Sequence, residues 1–147
     1  MAGTWEPFGP TRLPEAGERT MEETAASPAG ASPPREPARQ LAVITCMDAR
    51  IDPLAVLGLR LGDANVLRNA GATVSEDVLR SLRAAHELLG VRRAVLIAHT
   101  DCAGHASDAA AAAALADGAR RIRGTMPEGF GVDTLMYDVT TGALTPV

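Results

Sequence analysis

Two short apolar runs, each ending at a cysteine-bearing turn, constrain this chain more than anything else in it. Leu41-Ala-Val-Ile-Thr45 runs into Cys46-Met47-Asp48-Ala49-Arg50, and Ala94-Val-Leu-Ile-Ala98 runs into His99-Thr100-Asp101-Cys102. Both runs are continuous rather than alternating, the pattern of strands covered on both faces and hence of a parallel sheet. Cys46 and Cys102 are the only two cysteines of the protein, and each follows such a strand at its carboxyl end, where α/β sheets bind their ligands. Two thiolates and the His99 imidazole make a Cys2His set, which suits zinc with a fourth position left for water.

The segments between these runs complete an α/β order. Asp52 as cap, Pro53 at the first helical position and Gly58 at the left-handed end predict a short helix. A second strand is expected over Ala64–Leu67, leading into Arg68-Asn69-Ala70-Gly71. Thr73-Val-Ser-Glu76 offers a capping box for a helix with Val74, Val78, Leu82, Ala85 and Leu89 on one stripe, ended by Gly90. Val91–Ala98 is the third strand. His105 to Arg123 carries six consecutive alanines, Ala109–Ala114, and predicts a helix capped at Ser107 or Asp108, with Leu115 and Ile122 as its large apolar anchors. Thr134–Val139, a turn over 140–142 and Ala143–Val147 close the chain as a hairpin. The expected fold is α/β: a mainly parallel sheet of about four strands flanked by helices, with a C-terminal edge strand.

Residues 1–40 hold seven of the ten prolines and six glutamates, too little apolar surface to offset their ordering entropy. They are expected to form a disordered or loosely attached arm on a folded domain over 41–147. Within the arm, Thr20 to Ala26 has the composition for a helical turn or two, and Trp5 and Phe8 are available to dock on a partner surface. All fourteen basic residues are arginine, which removes Schiff-base chemistry and the lysine-bearing phosphate loop. A net charge of −4 and a pI near 5.3 argue against a nucleic-acid surface. The start of the chain lacks the basic and apolar regions of a secretory signal, and no stretch reaches membrane-spanning length. The expected setting is cytoplasmic, without a membrane partner, where paired cysteines serve metal binding or catalysis better than a disulfide.

Asp48 and Arg50, two apart in an extended segment, point to one side. A guanidinium there orients the carboxylate and keeps it ionised. Beside a metal, such an aspartate either accepts the hydrogen of a zinc-bound hydroxide or takes the fourth position itself and closes the site. A plain surface ion pair is worth little. His86 is expected to be structural or exposed, His105 a rim proton shuttle or a bystander, and Asp101 a partner of local backbone or an orienter of a ligand.

Cys46-x-Asp48-x-Arg50, Arg68-Asn69-Ala70-Gly71 and His99-x-x-Cys102, in this order and spacing, resemble the signature of the β-class carbonic anhydrases. Ala85-His86-Glu87-Leu88-Leu89-Gly90 is similar to the family as well, and the likeness covers residues 40–105, with a weaker echo near Tyr137–Val147. The resemblance implies a zinc enzyme interconverting carbon dioxide and bicarbonate through a zinc-bound hydroxide. It implies Zn2+ on Cys46, His99 and Cys102, with Asp48 as a further ligand only in a closed site. Asp48 and Arg50 become the catalytic dyad, and Gly71 lets backbone approach a small substrate. The implied assembly is a homodimer or dimer of dimers, the site walled partly by the neighbouring subunit. Two places depart from the family pattern: Ala103 stands between Cys102 and Gly104, and the stretch from Cys102 to the last strand is short, missing a helical segment before that strand. A related hydrolase of carbonyl sulfide or carbon disulfide is one alternative; a catalytically silent zinc-binding or redox-responsive protein is the other.

Overall fold

A computed structural model of the chain describes residues 32–147. The reading of an arm with helical turns near Thr20 and docking residues Trp5 and Phe8 lies, over residues 1–31, outside the described residues. Five strands follow: β1 (Leu41–Cys46), β2 (Ala64–Asn69), β3 (Arg93–His99), β4 (Gly131–Tyr137) and β5 (Leu144–Pro146). They are connected by the helices α1 (Pro53–Val56), α2 (Glu76–Leu89) and α3 (Asp108–Thr125). The sheet order is β2-β1-β3-β4-β5, parallel except for the antiparallel β4–β5 hairpin. This is the α/β sheet that the sequence pattern predicts, with the edge strand at the carboxyl end.

Burial explains why β1 and β3 read as unbroken apolar runs. Alternate residues of each strand enter two different cores. Ala42 and Ile44 of β1 and Ala94, Leu96 and Ala98 of β3 pack with Val78, Leu79 and Leu82 of α2 and Leu115 and Ile122 of α3. Leu41, Val43, Val95 and Ile97 pack on the other face with Leu57, Leu59 and Leu135. With both faces covered, no position along β1 tolerates a charge, and all six of its residues are buried.

The helices begin and end for local reasons. Asp52 accepts from the N–H groups of Leu54 and Ala55, opening α1 ahead of Pro53. Ser75 caps α2 by accepting from Val78 N–H. The cap is therefore not Thr73: its N–H and C=O are taken by the Asn69 side chain, which ties Thr73 into the turn after β2. Gly90, at φ +73, ends α2, and Val91 N–H closes the turn on Ala85 O, so β3 starts two residues later than Val91. Ser107 caps α3.

Leu115 and Ile122 anchor α3 as predicted, but its small residues matter as much. A methyl group on Gly118 would stand 2.6 Å from Val74 Cγ2 and 3.2 Å from Leu96 Cδ2, so the missing side chain is what lets α3 approach the sheet. α3 is the one helix between Cys102 and β4. β4 is half-buried, with Leu135 alone fully covered. Among the described residues, no helix is long and apolar enough to cross a membrane.

Candidate metal centre

The order β2-β1-β3 creates the site. The chain leaves β1 to one side to form β2, then returns past β1 to form β3 on its other side. The carboxyl ends of β1 and β3 thus flank a topological switch point, where neighbouring connections diverge and leave a crevice. Cys46 is the last residue of β1, His99 the last of β3, and Cys102 follows three residues on.

The donor atoms of Cys46, His99 and Cys102 all lie within 4.8 Å of one another. The two sulfurs are 3.8 Å apart, and neither cysteine is in a disulfide. His99 is 1% exposed. Its Nδ1 lies 2.8 Å from Thr100 O, a carbonyl that only a protonated nitrogen can satisfy. That contact fixes the tautomer and leaves the Nε2 lone pair free. Nε2 is buried without a hydrogen-bond partner, an arrangement that carries a desolvation cost unless the lone pair has an acceptor such as a metal ion. Soft thiolates and a neutral imidazole are the donor chemistry zinc takes, so the residues present fit the ion.

Asp48 stands beside this cluster, its Oδ2 3.8 Å from His99 Nε2. Arg50 grips the carboxylate in a two-pronged contact, Nε to Oδ1 at 3.0 Å and Nη2 to Oδ2 at 2.8 Å, and the Arg50 N–H adds a third bond to Oδ1 at 2.9 Å. The guanidinium and that N–H hold the Asp48 carboxyl well below the usual carboxylate range, and Asp48 in return raises Arg50. Burial pushes the Cys46 thiol up, but His99, the N–H groups of Gly71 and Asp48 and the Cys102 thiol outweigh it and bring Cys46 down to about 7. Cys102 moves the other way, raised chiefly by burial.

The loop after β2 encloses the sulfur from the third side. Gly71 N–H points at Cys46 Sγ, 3.4 Å away. Gly71 has φ +75 and the next residue, Ala72, φ +53, so two successive left-handed residues turn the chain over the thiol. His105 fills the space a Gly71 side chain would need and its Nε2 lies 2.9 Å from Gly71 O. Gly104 is packed closely as well, a methyl there standing 3.1 Å from Gly71 N. His86 lies away from the cluster, its Nδ1 2.7 Å from Val91 O and its ring edge-on to Phe130.

Two residues already named from the sequence, Arg68 of the Arg68–Gly71 motif and Asp101, act through contacts that the motifs do not specify. Arg68 donates from Nε to Cys46 O at 2.9 Å and from Nη2 to Asp48 O at 2.8 Å, stapling the loop after β1 to β2. Asp101 turns its carboxylate to Arg50. Both contacts join segments distant in sequence, and no local spacing specifies them.

The carbonic anhydrase family model matches residues 41–128. The chain belongs to the β-class carbonic anhydrase family. It is 48% identical over 69 residues to beta-carbonic anhydrase 1 of Mycobacterium tuberculosis, covering 47% of this chain and 42% of that protein. It is 41% identical over 64 residues to a carbon disulfide hydrolase of Saccharolobus solfataricus, covering 44% of this chain and 31% of the other. Each match therefore spans less than half the length of its curated relative. The fold superposes on the crystal structure of carbonic anhydrase from Streptococcus mutans with a TM-score of 0.73 and 30% identity, over 80% of this chain and 87% of that one. Within the β-carbonic anhydrase fold, the Cys46–His99–Cys102 cluster occupies the sheet's switch point.

Proposed function

We propose that this chain catalyses the reversible hydration of carbon dioxide to bicarbonate, with zinc held by Cys46, His99 and Cys102. The single observation that carries the reading is the buried Nε2 of His99, unpartnered and facing two thiols, with a locked aspartate at its side. When bound, zinc supplies the Lewis acid that makes water a nucleophile near neutral pH. Asp48, kept ionised by Arg50, has only acceptor oxygens to offer; it accepts a hydrogen bond from the attacking water and turns the water's lone pair towards carbon dioxide. The Gly71 N–H donates to the Cys46 sulfur, spreading its charge, and the backbone at Gly71 borders the space for a small substrate. Release of Asp48 from Arg50 would let its carboxylate take the remaining ligand position and close the site.

The test is zinc content measured together with stopped-flow carbon dioxide hydration from about pH 6.5 to 9. Turnover in zinc-loaded protein is expected; a chain that holds zinc and is inert at every pH rejects the reading in favour of a silent zinc binder. Asp48→Asn is expected to keep zinc and lose about a hundredfold in turnover, and unchanged turnover removes Asp48 from the mechanism.

A second reading has its own support in the 41% identity to a carbon disulfide hydrolase. The same donors suit carbon disulfide or carbonyl sulfide, and release of hydrogen sulfide from either substrate decides between the readings. A homodimer or dimer of dimers accompanies the proposal. Its support is that β2 pairs on one side only, with β1, and that Val66 on that edge and Met47 beside the site are 38% and 66% exposed. Light scattering that finds a monomer at micromolar concentration rejects it. A cytoplasmic setting goes with both readings, since two thiols serving as donors must stay reduced.

A further inference from the structure

Arg50 is held from two directions. Nε and Nη2 hold the Asp48 carboxylate, while Nη1 donates to Asp101 Oδ2 at 3.0 Å and Nη2 donates also to the Asp101 carbonyl at 3.0 Å. Asp101 thus offers one side-chain and one main-chain acceptor to the same guanidinium. It can do so because its backbone is left-handed, at φ +52, a conformation that residues other than glycine rarely adopt. That conformation is held from behind: Asp101 N–H donates to Asp108 Oδ1 at 2.9 Å, at the first residue of α3. The neighbouring Thr100 is fixed to the end of β4 by its N–H to Tyr137 O.

We propose that Asp101 is a positioning residue, which fixes the plane of the Arg50 guanidinium and through it the orientation of Asp48. The inference rests on the hydration reading for its catalytic consequence. Asp101 is 83% exposed on its side chain and Arg50 47%, so the pair contributes little to stability. Its effect is directional. A guanidinium held by Asp48 alone can rock about that contact and carry the carboxylate with it; one held at both edges cannot. Because Asp101 lies between His99 at the end of β3 and Cys102 in the loop that follows, the same contact also ties the segment after β1 to the segment bearing the other two donors. A local backbone strain at a site of this kind is retained where the surrounding contacts over-determine it.

Two substitutions separate the carboxylate from the backbone. Asp101→Gly accepts the left-handed conformation and removes the carboxylate; Asp101→Asn also tolerates that conformation and keeps an oxygen acceptor. In zinc-loaded protein, Asp101→Gly is expected to lower kcat about tenfold and Asp101→Asn about threefold, with KM little changed. Zinc content and Tm should stay at the wild-type values. The readout that a merely structural role would not move is the 15N relaxation of the Arg50 Nε–H. Its order should fall in Asp101→Gly and recover in part in Asp101→Asn. Arg50 order that is unchanged in Asp101→Gly overturns the proposal whatever turnover does. Loss of zinc or of Tm in step with turnover overturns it as well, by making the effect one of folding. If the wild-type chain does not hydrate carbon dioxide, the hydration reading falls separately, and the Arg50 order series alone decides whether Asp101 holds the guanidinium.

Discussion

Replacing Gly71 with alanine is expected to destabilise the folded chain by about 2–3 kcal/mol, for two separable reasons. The backbone at Gly71 sits at φ +75, where an L side chain costs about 1–2 kcal/mol. The new methyl group would also stand 2.7 Å from His105 Nε2 and 3.3 Å from two ring carbons. The imidazole must withdraw, giving up its 2.9 Å contact with Gly71 O, a hydrogen bond worth about 1 kcal/mol net. Urea unfolding of the metal-free and zinc-loaded protein measures the sum. Zinc affinity should fall too, because the strained turn carries the Gly71 N–H away from Cys46 Sγ. The double variant with His105→Ala isolates the clash: with the ring gone, the two substitutions should cost about 1 kcal/mol less together than the sum of each alone. A Gly71→Ala protein within about 0.5 kcal/mol of wild type refutes the whole account; strict additivity refutes the part assigned to His105.

Three further outcomes follow from the geometry. Cys102→Ser is expected to purify without stoichiometric zinc, and retained stoichiometric zinc by elemental analysis would remove Cys102 from the donor set. Leu82→Ala, at a side chain with no exposed surface between α2 and the sheet, should cost about 2–5 kcal/mol in denaturant unfolding; a loss under about 1 kcal/mol would mean that this core collapses around the cavity. Asp138 accepts from the N–H groups of Thr140 and Thr141 at 2.8 and 3.1 Å, which hold its carboxyl below the ordinary value. A depressed folded value stabilises the protein above the unfolded carboxylate value of about 3.9 and loses that stabilisation as pH falls. Asp138→Asn should therefore flatten the acid limb of stability against pH, and an unaltered limb refutes it.

The parts of this fold that were legible in the sequence share one property: they are periodic or terminal. β1 and β3 are unbroken apolar runs because both of their faces are covered, and the three donors could be found because each stands at or just past a strand end. The parts that were not legible depend on two loops meeting in space. Thr73 looks like a helix cap, yet Asn69 claims its backbone and the cap passes to Ser75. Arg68 stands out in the sequence only as part of the Arg68–Gly71 motif, and only the adjacency of β2 and β1 makes it the staple of the Cys46–Asp48 loop. The closeness of α3 to the sheet rests on an absent atom at Gly118, which a search for large apolar anchors passes over.

The sheet order explains the left-handed backbone around Cys46, though not that of Gln40 (φ +51) ahead of β1. Gly71 and Ala72 after β2 and Asp101 after β3 all take left-handed backbone, and all border the two loops that converge on Cys46. Parallel strands leave their side chains at the carboxyl end pointing along diverging connections, so three strands alone do not bring three donors and a fixed carboxylate to one point. The chain must fold back over the end of β1 from both sides, and the tight left-handed turns are how it does so. The energy for them, about 1–3 kcal/mol for each non-glycine case, comes from the double-sided burial of β1 and β3, where every residue of β1 is covered. The fully buried strands and the strained loops are therefore one design. A sheet with a solvent-facing β1 would have less burial with which to hold Asp101 and Ala72 in place, and the Arg50–Asp48 contact would be the first part of the site to loosen.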